Sequence, residues 1–348
     1  MKRRFVIYAE KKLGLYSSKT GNCAIRYFPE EVVAVIDSSR KGQAIEEIIG
    51  VGRGIPIVAD LDETLRLAPN TFLVGSAPVG GRPDAAMLET IKKALRHKMN
   101  LVSGLHHFFS DMPELADLAK AHGATITDLR KPSPHLSVSK SKWKDFRAKV
   151  VLTVGSDCNC GKLSTVYEVY KSFLRRNIPS EFIGTGQTGI LLGGGGVPVD
   201  AVVSDFMAGA MEAEIEKAEQ KGCDFIFVEG QGALTHSAYS GVTLGLLHGS
   251  MPDAMIFCHD PTRMEDDWGN RIPDIKELIR FNEECMKFFK PSKVAGLGII
   301  TRKIAEESEA KAVIQKLESE TGIPANDPYR FGCENIVEGL IRYFGVKG

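Results

Sequence analysis

The chain has 348 residues, 43% hydrophobic and 25% charged, the composition of a folded globular protein with room for more than one core. Lys plus Arg and Asp plus Glu both number 44, so no net field draws it to nucleic acid or an acidic membrane surface, and any anion site has to be local. No apolar run approaches the roughly 18 residues of a membrane span. The basic start "MKRRFVIYAEKKLG" has too short a core for a signal peptide, and seven scattered Cys suit a reducing compartment, so a cytoplasmic protein with no membrane partner is expected.

From residue 5 onward, short apolar runs rich in β-branched residues ("RFVIYA", "VVAVID", "IPIV", "TFLVGSA", "NLVSGL", "ATITDL") alternate with helical patterns such as "KGQAIEEIIG", "AAMLETIKKALRHK" and "PELADLAKAHG". Buried strands alternating with amphipathic helices predict a parallel, doubly wound sheet, a Rossmann-like first domain over residues 1–140. Its phosphate signal is poor, because "GVGRG" follows a helix and no G-x-G-x-x-G opens the first one. Asp37 at the tip of the second strand and "GSAPVGGR" after the fourth stand where such sheets meet ligands. In "SGLHHFFSDMPEL", adjacent His106 and His107 cannot both face one site from a strand. His106 is the candidate, with Ser110 or Asp111 as the expected cap of the next helix.

"RKPSPHLSVSKSKW", rich in Pro, Ser and Lys and without periodicity, marks the seam before a second domain over residues 141–348. That domain starts with a strand at "AKVVLTV", and the loop "GSDCNCGK" carries it into an amphipathic helix, "LSTVYEVYKSFLRR". Strand, glycine-bounded loop, Lys and helix form a phosphate cradle: loop amides and the helix N-terminus point at an anion, and Lys162 adds a positive charge. The spacing is one residue longer than in the common P-loop, with five residues between Gly155 and Gly161. The expected phosphate-binding residues are Gly155, Asp157, Cys158, Asn159, Cys160, Gly161, Lys162, Leu163 and Ser164. Leu163 stands where a Mg²⁺-binding hydroxyl normally follows the Lys, and Ser164 is one position late, so phosphate binding is better supported than metal binding. The pair Cys158 and Cys160 lacks a second pair at metal-ligand spacing, and no resident metal is expected.

Seven Gly between residues 184 and 196 read as a loop that lets backbone approach a ligand, with Gly186 and Gln187 of "GTGQTG" as further phosphate contacts. Asp205 precedes the next helix, as a substrate contact or as an acid favoured by the helix dipole. The strand in "GCDFIFVEGQGALTH" ends at Glu229, with His236 just beyond; either is a candidate general base. Later strands end in His259 and Arg263 ("HDPTR") and in Arg302 ("ITRK"), and "ANDPYRFG" follows. Parallel-sheet strand ends converge on one crevice, so these are candidate substrate contacts. No N-K-x-D base reader of GTP-binding proteins is present.

"GSDCNCGK" and "VEGQG" resemble the phosphate loop and the V-E-G-A-G segment of dethiobiotin synthetase, with Asp157 and Glu229 in matching places. "GSDCNCGKLSTVYEV", "GTGQTGI", "DAVVSDFMAGAMEAE", "VEGQGALTH", "HDPTR", "DPYRFG" and "GLHHFFSDMPEL" together resemble a family long described as a domain of unknown function, whose characterised members include D-glutamate N-acetyltransferases. The resemblance covers nearly the whole chain and implies a Rossmann-like domain followed by a P-loop domain. It also implies transfer of an acetyl group from acetyl-CoA to an amino-acid amine, which needs no Mg²⁺. The alternatives are an ATP-dependent ligase of the dethiobiotin-synthetase kind, with a nucleoside triphosphate and Mg²⁺ in the cradle, and a nucleotide-binding regulatory protein. A small-molecule substrate and a homo-oligomer are the expected partners.

Overall fold

The computed structural model describes residues 2–76 and 81–346. The chain folds as two compact units, one of residues 1–132 with 186–201 and the other of residues 133–185 with 202–348.

In the first unit the strands are β1 (Phe5–Tyr8), β2 (Val32–Ile36), β3 (Ile57–Val58), β4 (Thr71–Val74), β5 (Asn100–Ser103) and β6 (Ile126–Asp128). They form one sheet in the order β3-β2-β1-β4-β5-β6, parallel throughout. That is the Rossmann order, reversing direction between β1 and β4. Strands β1 and β4 are buried along their whole length, as the apolar runs Phe5–Tyr8 and Phe72–Val74 require. The predicted helices α2 (Ile45–Ile49), α3 (Ala85–Arg96) and α4 (Pro113–His122) are present, and α1 (Lys19–Tyr27) joins them. Asp84 caps α3 by accepting from Met87 N. The expected cap of α4 is displaced: Met112 is its N-cap. Ser110 N instead donates to Asp128, and Asp111 pairs with Lys131. "GVGRG" ends α2, with Gly50 as its C-cap.

The glycine run expected as an open loop folds in part into α6 (Gln187–Gly193), because Ile190, Leu191 and Leu192 give it an apolar face to bury. Ile190 and Leu191 join the core cluster of Phe5, Ile7, Ala24 and Leu73, on the side of the sheet that α1 covers. Thr188 Oγ1 lies 3.0 Å from Thr20 Oγ1 of α1.

The second unit has β7 (Lys149–Gly155), β8 (Ser180–Ile183), β9 (Phe225–Val228), β10 (Ala254–His259), β11 (Lys293–Ile299) and β12 (Ala325–Asn326). Its sheet runs β12-β11-β10-β7-β9-β8, again all parallel. Strand β7, buried at all but its first residue, lies inside the sheet, and the ends of β9 and β10 flank its own. Its helices are α5 (Lys162–Arg175), α7 (Ser204–Glu219), α8 (Ser240–Ser250), α9 (Ile275–Met286), α10 (Glu307–Thr321) and α11 (Glu334–Phe344). Phe173 of α5 packs edge-on against Phe225 and Phe227 of β9, at 5.0 and 4.8 Å between ring centres, and seats α5 on the sheet. The low-periodicity seam is strapped down: the buried Glu212 of α7 accepts from Ser139 Oγ, Lys140 N and Lys142 N. Among the described residues no helix is long and apolar enough to cross a membrane.

Candidate functional site

The phosphate loop leaves the end of β7 and returns as the first turn of α5. Two residues with positive φ make the reversal, Asn159 at 55° and Gly161 at 89°, the latter as the N-cap of α5. A side chain at Gly161 would lie 2.4 Å from the Ile300 side chain, so glycine is required for space as well as for conformation. Cys160 Sγ closes the loop by donating to Asp157 O at 2.9 Å. Lys162 is buried and its ammonium donates to the same carbonyl at 2.7 Å. Thr165 N makes the first helical bond, to Gly161 O, so the N–H groups of Gly161, Lys162, Leu163 and Ser164 lack acceptors within the helix, which is the donor set a phosphate uses.

Asp157 is 1% exposed, and its carboxylate is compensated. Arg263 Nη2 makes an ion pair with Oδ2 at 2.6 Å, and Cys158 N donates to Oδ1 at 2.6 Å. Arg263 Nη1 donates to Cys158 O at 2.9 Å, so one guanidinium holds two consecutive loop residues. His236 is 2% exposed. Its Nδ1 accepts from Ala238 N at 3.2 Å, which places the ring proton on Nε2. That N–H has no hydrogen-bond partner among the described residues, and Asp157 Oδ1 is 3.9 Å away, beyond bonding distance.

The carboxylate, thiol and imidazole of Asp157, Cys158 and His236 approach within 4.8 Å of one another, near enough to ask whether they hold a metal. The donor set does not fit one. His236 presents a proton, not a lone pair, toward the group. Burial pushes the Cys158 thiol up to about 11, with Lys162 acting the other way, so it is not a thiolate at neutral pH. Arg263 already neutralises Asp157. Mg²⁺ in the usual P-loop manner fits no better, because the position after the Lys is the buried, apolar Leu163 and Ser164 lies one place further along α5.

Beyond β9, Glu229 is buried, and its Oε2 accepts from Thr185 N at 2.8 Å. Thr185 Oγ1 returns a bond to Glu229 O at 2.7 Å, and Gln231 Nε2 donates to that hydroxyl at 3.1 Å. Gly230 N donates to Thr153 Oγ1 of β7. A side chain at Gly230 would lie 1.7 Å from Thr153 O and 3.1 Å from Lys162 Cδ, so the Glu229 turn lies directly against the cradle lysine. Beyond β10, His259 Nδ1 lies 2.9 Å from Ser156 Oγ. The sequence reading missed Ser156; its only signal is its place second in the glycine-bounded loop.

The remaining expected residues have other surroundings. Arg302 is exposed at the end of the β11 turn, and Asp205 is exposed in the first turn of α7, where it complements the helix dipole. Asp327 accepts from Thr301 N and Oγ1 and from the turn at Tyr329, and Arg330 donates to the carbonyls of Thr301, Ile304 and Ala305; both hold loops. Gly186 and Gln187 belong to the first unit, where Gln187 Oε1 accepts from Arg130 Nη2 at 2.6 Å. Arg130 also pairs with Asp200, and His106 Nε2 lies 3.9 Å from the same carboxylate. Burial, then Arg130, lower the pKa of His106. Asp37 is fully buried, with its carboxylate accepting from Leu13 N and from Ser39 N and Oγ, which makes it a turn former. Of "GSAPVGGR", residues 77–80 lie outside the described residues.

Comparison with known proteins agrees with the two-domain fold. Residues 137–337 match the P-loop domain, and residues 38–132 the Rossmann-like domain, of a family described as a domain of unknown function, DUF1611. A crystal structure of a DUF1611 family protein from Anabaena variabilis is 34% identical, with a TM-score of 0.91 over 98% of this chain and 99% of that one. A protein from Tritonibacter scottomollicae named D-glutamate N-acetyltransferase is 38% identical over 80% of this chain and 84% of its own. One of the same name from a Pseudoalteromonas species is 37% identical over 80% of this chain and 83% of its own. With both domains matched in order and a relative superimposing over almost its full length, the chain belongs to the DUF1611 family.

Proposed function

We propose that this protein is an N-acetyltransferase that moves an acetyl group from acetyl-CoA to the amine of an acidic amino acid of the D-glutamate class. The observation that carries the reading is the cradle itself: a loop and helix N-terminus with a buried lysine, built for phosphates, but with Leu163 in place of the hydroxyl that phosphoryl transfer needs for its metal. The names of the two relatives point to the same chemistry. Acetyl-CoA brings a pyrophosphate and a ribose phosphate, which the α5 amides and Lys162 hold without hydrolysing anything.

Acetyl transfer to an amine asks for a base for the ammonium and for donors to the thioester oxygen as it gains charge. Glu229, fixed by Thr185 and set against Lys162, is the base in this reading. The buried Nε2–H of His236 suits a donor to a developing oxyanion better than the base role its position in the sequence suggests. The protein acts in the cytoplasm, consistent with seven cysteines scattered along the sequence, and as a homo-oligomer.

The test is thiol release from acetyl-CoA with D-glutamate and L-glutamate, beside calorimetric titration of acetyl-CoA and of ATP with and without Mg²⁺. CoA release dependent on D-glutamate, with acetyl-CoA bound more tightly than ATP, supports the reading. ATP turnover with a carboxylate substrate and no acetyl transfer would replace it with the ligase.

A further inference from the structure

We infer that Ser156 carries the acetyl group between donor and amine, with His259 as the base that frees its hydroxyl; this rests on the acetyl-transfer reading. The pair is a product of the sheet. Strands β7 and β10 are parallel and in register, with Gly155 opposite Cys258. The residues that follow on each strand, Ser156 and His259, therefore emerge side by side. Ser156 N donates to Cys258 O at 3.0 Å, which fixes its backbone to the strand that His259 ends. Ser156 Oγ then sits 2.9 Å from His259 Nδ1, the distance of a nucleophile from its base.

The surroundings suit the role. Ser156 is 3% exposed and so largely shielded from water that would hydrolyse an ester. Burial lowers the pKa of His259, with Asp260 and Asp274 opposing, which keeps the imidazole able to accept a proton at neutral pH. Ser156 also immediately precedes Asp157, where the Arg263-held cradle begins, so a donor anchored by its phosphates is held next to this hydroxyl.

In the first half-reaction, Ser156 Oγ bonds to the thioester carbonyl carbon as its proton passes to His259 Nδ1. The carbon–sulfur bond then breaks, and the sulfur leaves as the CoA thiol with that proton. In the second, the substrate ammonium loses one proton to Glu229, and its nitrogen attacks the seryl ester. The carbon–oxygen bond to Ser156 breaks as the nitrogen's next proton returns through His259 to Oγ, leaving the N-acetyl amino acid. Nothing is oxidised or reduced.

A carried acetyl group predicts exchange of labelled CoA into acetyl-CoA with no amino acid present. The wild-type protein should exchange at a rate comparable to its turnover. Ser156→Ala and His259→Ala should lose exchange by roughly a hundred-fold or more, while calorimetry shows Ser156→Ala still binding acetyl-CoA with an affinity near the wild type's. Peptide mapping of acid-quenched wild-type protein should find the acetyl group on the peptide that contains Ser156. Turnover without exchange, a full rate in Ser156→Ala, or an acetyl group on another peptide would overturn the carrier and leave the transfer reading intact. Absence of turnover with any amino acid would remove both.

Discussion

Arg263 reaches from the turn beyond β10 to Asp157 in the phosphate loop, closing an ion pair of 2.6 Å around a carboxylate that is almost wholly out of water. The same guanidinium holds Cys158 O. Removing it leaves the carboxylate buried and unpaired, which typically costs about 3–5 kcal/mol. Arg263→Ala should therefore lower stability to denaturant by about that amount. Arg263→Ala with Asp157→Asn should recover a large part of the loss, since the neutral amide no longer needs a counter-charge. Additive effects in the double-mutant cycle would show that the pair is not coupled.

Lys162 donates to a loop carbonyl in the structure, and in the proposed complex that donor turns to a phosphate. Lys162→Ala should weaken acetyl-CoA binding by about 1.5–3 kcal/mol, the range of a hydrogen bond to a charged group, as read by calorimetry. Chelation with EDTA should leave acetyl transfer unchanged, because no oxygen ligand follows the lysine. A rate that falls with EDTA and returns with Mg²⁺ would contradict the role given to Leu163.

The Nε2–H of His236 can be separated from a base by choice of substitute. Glutamine carries an amide N–H at nearly the same reach, so His236→Gln should keep most of kcat, whereas His236→Ala should lose about 10²–10³-fold, the scale of one oxyanion donor. Equal losses in both variants would point to a proton acceptor instead.

Glu212 supplies a stability test through pH. Burial raises its pKa, but the bonds from Lys140 N, Ser139 Oγ and Lys142 N outweigh that and bring it below the ordinary 4.5. A carboxyl whose folded-state pKa is depressed contributes stability that is present above its unfolded value and is lost as pH falls through the folded one. Wild-type stability should thus drop relative to Glu212→Gln as pH falls below about 4.5. At neutral pH the variant should be the less stable by about 1–3 kcal/mol, from strained or lost bonds to residues 139–142. Parallel stability curves across that range would rule the linkage out.

Much of this was legible in the residues. The inner strands of both sheets follow from apolar runs, and the cradle from strand, loop, Lys and helix in that order, because local sequence sets these, whereas the two-residue edge strand β12, Ala-Asn, carries no such signal. Asp157, Glu229 and Arg263 were legible as site candidates, but not their partners, since the Arg263–Asp157 and Thr185–Glu229 contacts join segments far apart in the chain. Ser156 was hidden for the same reason: a serine gains its histidine only when β7 and β10 lie side by side. α6 was misread as a loop because its glycines dominate the composition, while the three aliphatic residues that bury it show their value only against Ile7 and Leu73. Asp37 was the opposite case, a polar strand end that looks like a ligand contact until its acceptors are found to be taken by Leu13 N and by Ser39 of its own turn.

The return of residues 186–201 to the first unit makes that unit discontinuous in sequence. On a ribosome, residues 1–132 emerge with the ground that Ile190 and Leu191 later cover still bare. The first unit therefore waits for more than fifty further residues of synthesis before its packing is complete. A protein cut after residue 140 would carry that bare apolar ground permanently, and such fragments should aggregate beyond any oligomer the whole chain forms. No single cut separates the two units, because residues 186–201 of the first lie within the sequence of the second.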